Sequence, residues 1–317
     1  MNKCLCCNKP LSSTNDFENR FLWHQKCVKA FFGVNKLPEI NMNEDDIKHF
    51  AIASINSGYT IPGVQKKLSL HLSKEANEPY RLTLIGYPCG YILKPQTSEY
   101  KNLPEAEFLA MTMAKATGIK TVPFGLLKNN NDFVYITKRI DRLDEKKLAM
   151  EDFCQLDLRQ TSDKYKGSYE RCAKIIKRYS VNAIADLTEL FLRIVFSFLI
   201  GNSDLHLKNF SLIETAFLTN TFVLSNAYDI LPVNTILPED LDELALTLNG
   251  KNRHLNKNDF LQFALNIGLE LNAAKKMIAH VVKLKPKYLE MIQEAFLPFE
   301  FKTALGALIE ERITRLS

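Results

Sequence analysis

Leu187-Thr188-Glu189-Leu190-Phe191-Leu192-Arg193-Ile194-Val195-Phe196-Ser197-Phe198-Leu199-Ile200-Gly201-Asn202-Ser203-Asp204-Leu205-His206-Leu207-Lys208-Asn209 is the stretch on which the reading of this 317-residue chain turns. Its first part is apolar at helical spacing and broken by Glu189 and Arg193, so it reads as a buried core helix too short and too charged to span a bilayer. Asp186 is the expected N-cap, Glu189 its capping-box partner, and Gly201 the stop. A rigid buried helix that ends in glycine presents the following loop at a fixed place. That loop carries a carboxylate and an amide five positions apart, Asp204 and Asn209.

An Asp-x-x-x-x-Asn offset is that of a kinase catalytic loop, where the Asp receives the proton of the substrate hydroxyl and the Asn oxygen holds a magnesium ion. Downstream, Tyr228-Asp229-Ile230 follows the apolar run Phe222-Val223-Leu224, and an Asp at the end of a buried strand is where a second magnesium ligand is expected. Upstream, Lys94 ends the strand-like Gly90-Tyr91-Ile92-Leu93, the setting of a lysine that grips the α- and β-phosphates of a nucleotide. Taken singly, Asp204 reads as well as a helix cap, Lys94 as a solvated strand end and Asp229 as an Asx-turn. The order of glycine-containing loop, strand lysine, helix with Glu, Asp with Asn, then a further Asp is what favours kinase chemistry.

Outward from these residues the chain divides in character. Leu68 to Leu72, Tyr80 to Leu84, Gly90 to Lys94 and Phe133 to Thr137 alternate with period two, and Lys128-Asn129-Asn130-Asn131-Asp132 is a hairpin turn pairing strands 124–128 and 133–139. One helix interrupts them, from Pro104 in its first turn to Gly118 as its stop. Beyond Arg142 helical signals dominate, and residues 258–317 read as several amphipathic helices. The expected fold is α+β and two-lobed like a protein kinase, with a small antiparallel-sheet lobe at 54–141 and a larger helical lobe at 142–317. A short Cys/His cap at 1–35 and a linker with a helix from Asp45 to Ser54 (residues 36–53) precede them.

Composition is that of an ordinary globular chain, with 46% hydrophobic and 24% charged residues, which excludes disorder and low complexity. A net charge of +5 is too small to imply nucleic-acid binding by itself and suits anionic ligands such as nucleotides. Without an apolar leader or a membrane-length run, and with seven cysteines, the expectation is a reduced cytoplasmic protein with no membrane partner. The pairs Cys4-x-x-Cys7 and His24-x-x-Cys27, separated by 16 residues, have the spacing of a structural Zn²⁺ knuckle; the competing reading is a cap of reduced thiols with a coincidental His24.

Gly63-Val64-Gln65-Lys66-Lys67-Leu68-Ser69-Leu70, Tyr91-Ile92-Leu93-Lys94-Pro95, Asn102-Leu103-Pro104-Glu105-Ala106-Glu107-Phe108, Met150-Glu151-Asp152-Phe153-Cys154-Gln155, residues 201–209 and Ala227-Tyr228-Asp229-Ile230-Leu231-Pro232 together resemble the HipA family of bacterial serine/threonine-kinase toxins. The resemblance implies ATP and Mg²⁺ as cofactors, with Lys94 on the phosphates, Asp204 as catalytic Asp, Asn209 and Asp229 on magnesium, and His206 and Lys208 flanking the transferred group. It implies a phosphate loop including Gly63, Val64, Gln65 and Lys67, a hinge in which backbone groups of Lys138 and Ile140 meet adenine, Asp141 on the ribose, and Gln155 near the nucleotide. The family's inhibitory loop phosphoserine maps onto Thr60, with Ser57 and Ser54 as the neighbouring serines, so all three are candidates for self-phosphorylation. The chain is shorter than long family members and resembles the short kinase of three-component systems, HipT. That implies a helix-turn-helix antitoxin and a small accessory antitoxin protein as partners, contact with DNA only through the antitoxin, and an aminoacyl-tRNA synthetase as substrate. Two other readings stand beside an active kinase: a pseudokinase that binds an antitoxin or operator complex, and a small-molecule phosphotransferase, which would not explain Gly63 to Leu70.

Overall fold

The computed structural model describes residues 3–38, 40, 67–73, 80–83, 90–143 and 146–317. The expected helix from Asp45 to Ser54 and the phosphate loop lie outside the described residues. The chain forms two compact units, one of Met1–Phe108 with Val122–Glu145 and one of Leu109–Thr121 with Lys146–Ser317.

In the first unit, strands β1 (Leu68–Ser73), β2 (Arg81–Thr83), β3 (Tyr91–Lys94), β4 (Phe124–Asn129) and β5 (Asp132–Lys138) form an antiparallel sheet in the order β2-β1-β3-β5-β4. The β4–β5 hairpin closes at Asn129 opposite Asp132, with Asn130 at φ 54°, the left-handed backbone that asparagine tolerates. Among the described residues two short helices precede the sheet, α1 (Asp16–Phe21), capped by the Asn15 side chain, and α2 (Gln25–Phe32), stopped by Gly33 at φ 72°. The apolar face of α2 explains its docking: Phe31 and Phe32 lie 5.9 and 5.3 Å from the Tyr91 ring of β3, and both meet Trp23.

Helix α3 (Leu103–Thr117) carries Phe108 against Phe124, 5.7 Å between ring centroids, and runs on into the second unit, where Thr117 hydrogen-bonds the Tyr288 hydroxyl at 2.8 Å. It begins and ends as its sequence dictates, with Pro104 in the first turn and Gly118 at φ 97° after the last.

The second unit is built around a helix buried on nearly every side. After α4 (Phe153–Leu156) and α5 (Tyr169–Tyr179), α6 (Ala183–Ile200) buries every residue from Arg193 to Ile200. The short α7 (Val233–Ile236) leads to α8 (Lys257–Asn266), α9 (Leu271–Lys283), α10 (Lys285–Gln293) and α11 (Phe299–Leu316). Phe191 stacks on Phe263, Phe198 packs on Phe260, and the Arg312 guanidinium lies 4.5 Å from the Phe198 ring centroid.

Two sequence expectations need correction in this unit. Asp186 is not the N-cap of α6, which starts after Asn182; Asp186 is buried, and its carboxylate accepts hydrogen bonds from Leu224 N (2.7 Å) and Ser180 Oγ (2.5 Å). Glu189 accordingly closes no capping box and instead accepts from Lys120 N and Arg193 Nε. The region after Arg142 also holds more strand than expected: β8 (Met150–Asp152), β9 (Ser211–Glu214) and β10 (Phe222–Leu224) form a three-stranded sheet in the order β10-β9-β8. Two two-residue strands, β6 (Arg142–Leu143) and β7 (Lys146–Lys147), precede it in the chain.

Among the described residues of the first unit, Gly125 is a point without slack. A Cβ on Gly125 would sit 2.8 and 2.9 Å from the Trp23 ring and 3.1 Å from the Leu5 carbonyl oxygen, and that ring is fully buried. Gly125→Ala is expected to cost about 1–3 kcal/mol by overpacking, read as a lower midpoint of denaturant unfolding at an unchanged m-value. A midpoint equal to wild type would show that Trp23 is not held against β4.

Candidate active site

The loop after α6 is fixed at both ends. Gly201 adopts φ 71°, and a Cβ there would lie 2.6 Å from Leu308 Cδ2, so only glycine makes the turn without a shift. Asn202 N donates back to Ser197 O, Asp204 N to Asn202 Oδ1, His206 N to Asp204 O, and Asn209 N to His206 O. These bonds wind residues 201–209 into a tight path that ends in a single helical turn, Leu207–Asn209.

Along this path the side chains differ sharply in exposure. His206 and Asn209 are buried, whereas the Asp204 side chain is 45% exposed. Asp204 Oδ1 accepts a 2.5 Å hydrogen bond from the Tyr165 hydroxyl and lies 3.8 Å from His206 Nε2, and the Tyr165 and His206 rings meet edge to face at 5.1 Å. Burial, then the hydrogen bond and charge of Asp204, push the Tyr165 hydroxyl well above the usual tyrosine range, so it stays a donor at any physiological pH.

Asn209 is oriented by a residue 20 positions away. Its Nδ2 donates to the Asp229 carbonyl at 3.3 Å, and its Oδ1, buried, has no hydrogen-bond partner among the described residues. Buried polar atoms are nearly always paired, so an oxygen held this way is suited to a cation. Asp229 itself adopts φ 60°, a left-handed backbone that Asp tolerates but seldom needs. Its segment is anchored by Ala227 N to Lys120 O (2.7 Å), Asn226 Nδ2 to Thr121 O (3.1 Å) and the Tyr228 hydroxyl to Lys208 O (3.2 Å).

Lys208 reaches Asp152 Oδ2 at 2.6 Å, and Asp152 also caps α4 in a capping box whose other half is the Gln155 side chain. Lys208 and Gln155 are thereby joined through one carboxylate. Six sequence candidates, Asp204, His206, Lys208, Asn209, Asp229 and Gln155, thus fall in the second unit, tied by these bonds to one another and to its helices.

The remaining described candidates belong to the first unit. Lys94, at the end of β3, is buried and pairs with the fully buried Glu107 of α3 at 2.5 Å, its ammonium 5.4 Å from the Tyr135 ring centroid. Asp141 is gripped by Arg139 (2.9 and 2.8 Å) and Arg142 (2.5 Å). Lys138 N donates to Pro123 O and Arg139 N to Gly90 O, so the segment before Ile140 is tied to the sheet. Lys67 directly precedes β1. Gly63, Val64, Gln65, Ser54, Ser57 and Thr60 lie outside the described residues. Cys4, Cys7, His24 and Cys27 come together in this same unit, their ligand atoms within 4.8 Å of one another.

Sequence reasoning missed the partners that position these groups: Tyr165 for Asp204, Asp152 for Lys208, and Glu107 for Lys94. Glu107 carried the one available signal, a second acidic residue in the first turns of the helix after the strand lysine, but helix phase alone separates it from Glu105.

Burial by itself pushes the Asp141 carboxyl up, but the hydrogen bonds and charges of Arg139 and Arg142 outweigh it and hold the group below the usual carboxylate range. The stability this supplies is complete above the unfolded pKa, about 3.9, and is lost as pH falls through the lower folded value. Asp141→Asn is expected to cost about 2 kcal/mol at neutral pH, a penalty that shrinks below about pH 4. A penalty independent of pH in denaturation series from pH 7 to 3 would contradict the arginine clamp.

Residues 59–288 match the family described as HipA-like C-terminal domain. A Haemophilus influenzae protein named "Putative kinase" is 30% identical over 273 residues, covering 76% of this chain and 77% of its own length. The Sinorhizobium fredii "Putative kinase Y4dM" is 31% identical over 221 residues, 65% of this chain but only 53% of the relative. Among solved structures, a chain of the Shewanella oneidensis MR-1 toxin–antitoxin complex of HipA, HipB and operator DNA superposes with a TM-score of 0.67 at 18% identity, covering 96% of this chain and 80% of that one. The Helicobacter pylori proinflammatory kinase CtkA superposes with a TM-score of 0.52 at 16% identity, covering 72% and 88%. Both likenesses are of fold, an antiparallel sheet part followed by a helical part as in kinases. The chain belongs to the HipA-like C-terminal domain family.

Proposed function

We propose that this protein is an ATP- and Mg²⁺-dependent serine/threonine protein kinase and the toxin of a bacterial toxin–antitoxin system. The observation that carries this reading is the buried Asn209 carboxamide, turned by the Asp229 carbonyl so that Oδ1 has no protein partner among the described residues, five positions after a half-exposed Asp204.

In this reading Asn209 Oδ1 and the Asp229 carboxylate hold magnesium, which when bound supplies neutralisation of the charge on the phosphates. Asp204 takes the proton of the attacking hydroxyl, and Tyr165, which stays protonated, orients the carboxylate without competing for that proton. Lys94 grips the phosphates, with Glu107 holding its ammonium in place. His206 and Lys208 flank the transferred group, Lys208 being steered by Asp152. Asp141 serves the ribose, the backbone of Lys138 and Ile140 the adenine, Gln155 the nucleotide's surroundings, and Gly63, Val64, Gln65 and Lys67 the phosphates. Phosphorylation of Ser54, Ser57 or Thr60 would add up to about two negative charges to that loop and disfavour the nucleotide. The lobe boundary is proposed near residue 141.

The partners proposed are a helix-turn-helix antitoxin and a small accessory antitoxin, with DNA reached only through them, and the substrate an aminoacyl-tRNA synthetase in the cytoplasm. The solved toxin–antitoxin complex supports an antitoxin partner by analogy of fold. Among the described residues no helix is long and apolar enough to cross a membrane.

Incubation with γ-labelled ATP, Mg²⁺ and a panel of purified tRNA synthetases tests this reading. Label is expected on one synthetase and on the chain itself, with Asp204→Asn reducing both at least about 100-fold and Asp229→Asn abolishing both. Absence of transfer to any protein, itself included, would overturn the kinase reading in favour of a binding role.

A further inference from the structure

We infer that Cys4, Cys7, His24 and Cys27 bind one structural zinc ion, and that this ion locks the N-terminal cap onto the edge strand of the five-stranded sheet. The four side chains come from two local devices. Cys4 and Cys7 lie on a tight turn closed by Cys4 N to Lys9 O and Asn8 N to Cys4 O, both 2.9 Å, with Asn8 in the left-handed region at φ 56°. His24 and Cys27 lie at the N-terminus of α2, with Cys27 N donating to His24 O. A turn and a first helical turn facing each other is an arrangement that closes a tetrahedron.

The distances fit zinc. Cys7 Sγ and Cys27 Sγ lie 3.3 and 3.8 Å from His24 Nδ1. Bond lengths of about 2.3 Å to sulfur and 2.0 Å to nitrogen imply sulfur–nitrogen edges of roughly 3.5 Å around a tetrahedral ion. Three sulfurs and one imidazole, with no carboxylate in the set, select zinc over hard cations.

A second, independent observation names the ligating atom. His24 Nε2 lies 3.0 Å from the Pro10 carbonyl oxygen, which can only accept, so Nε2 is the donor there and Nδ1 is the ring nitrogen that faces the sulfurs. A histidine whose far nitrogen donates to a carbonyl is the usual outer support of a metal-bound imidazole. His24 N also donates to Cys4 Sγ at 3.4 Å, a bond that stabilises a thiolate.

The cluster is joined to the sheet by its own neighbours in sequence. Leu5, between the first two ligands, accepts from Leu126 N at 2.8 Å and donates to Leu22 O at 2.8 Å; Trp23, adjacent to His24, donates its indole N–H to Leu126 O at 2.9 Å. Leu5 and Trp23 thus satisfy both backbone groups of Leu126 on β4, the edge strand. Pulling the four ligands together would hold these two residues there, in addition to the packing of Phe31 and Phe32 on Tyr91.

Trp23 is the sole tryptophan of the chain, so its emission reports docking of the cap directly. Elemental analysis of the full-length protein, purified under reducing conditions, is expected to give about one zinc per chain, and Co²⁺ exchange should give the visible bands of a tetrahedral thiolate site. Removal of metal by a strong chelator should shift Trp23 emission to longer wavelength, and zinc alone should restore it. Cys7→Ser and Cys27→Ser should lose the stoichiometric metal, while Cys6→Ser, which alters the neighbouring thiol, should keep it. Less than about 0.2 zinc per chain with no cobalt bands in the reduced protein, or stoichiometric metal retained in Cys7→Ser and Cys27→Ser alike, would overturn the site. Metal bound but Trp23 emission unmoved on its removal would overturn the docking role. None of these readouts depends on phosphoryl transfer.

Discussion

The hydrogen bond from Asn209 Nδ2 to the Asp229 carbonyl is the constraint on which the proposed chemistry of the second unit depends. It fixes which end of a buried carboxamide faces Asp229, and it ties two segments 20 residues apart to a single geometry. The elements around it hold both segments in place. Helix α6 is buried almost all round, so it has one place to sit; Gly201 turns the chain where any side chain would strike Leu308; and the bridge of Thr121 to Ala227 fixes the approach to Asp229. Asp204 is left exposed between these rigid points, oriented by Tyr165 rather than by packing.

The first unit solves a different electrostatic problem. A lysine ammonium taken out of water is costly unless it is paired, and Lys94 is paired with a carboxylate that is itself fully buried. Breaking such a pair leaves one uncompensated charge, so the position of α3 and the position of Lys94 are coupled. Arg139 and Arg142 do the same for Asp141 nearer the end of the unit. In both places a buried charged group is held by an oppositely charged neighbour.

Legibility in the sequence followed the range of the interactions. The β4–β5 hairpin, the two limits of α3 and the sequence Gly201 to Asn209 could be read because turn preference, capping and apolar periodicity are local. Asp186 was misread as a cap because an aspartate bonding its own helix terminus and one bonding a distant strand, here Leu224, have the same local sequence. The strands β8 and β9 were missed because three or four residues such as Met150-Glu151-Asp152 carry no measurable alternation. Partners of the candidate residues were hardest to see: Tyr165 meets Asp204 across 39 positions and Asp152 meets Lys208 across 56, and only the fold brings them together. The zinc-type spacing was visible because both ligand pairs are local, whereas its link to β4 through Leu5 and Trp23 was not.

Mn²⁺ binding in the presence of ATP, followed by electron paramagnetic resonance, tests directly whether the loop after α6 presents a cation site through Asn209 and Asp229. Substitution Asn209→Ala removes the orphaned oxygen while leaving helix α6 and Gly201 untouched. Mn²⁺ binding is expected to weaken at least about tenfold with the overall fold retained. Binding of Mn²⁺ with ATP as tight in Asn209→Ala as in the wild type would contradict it.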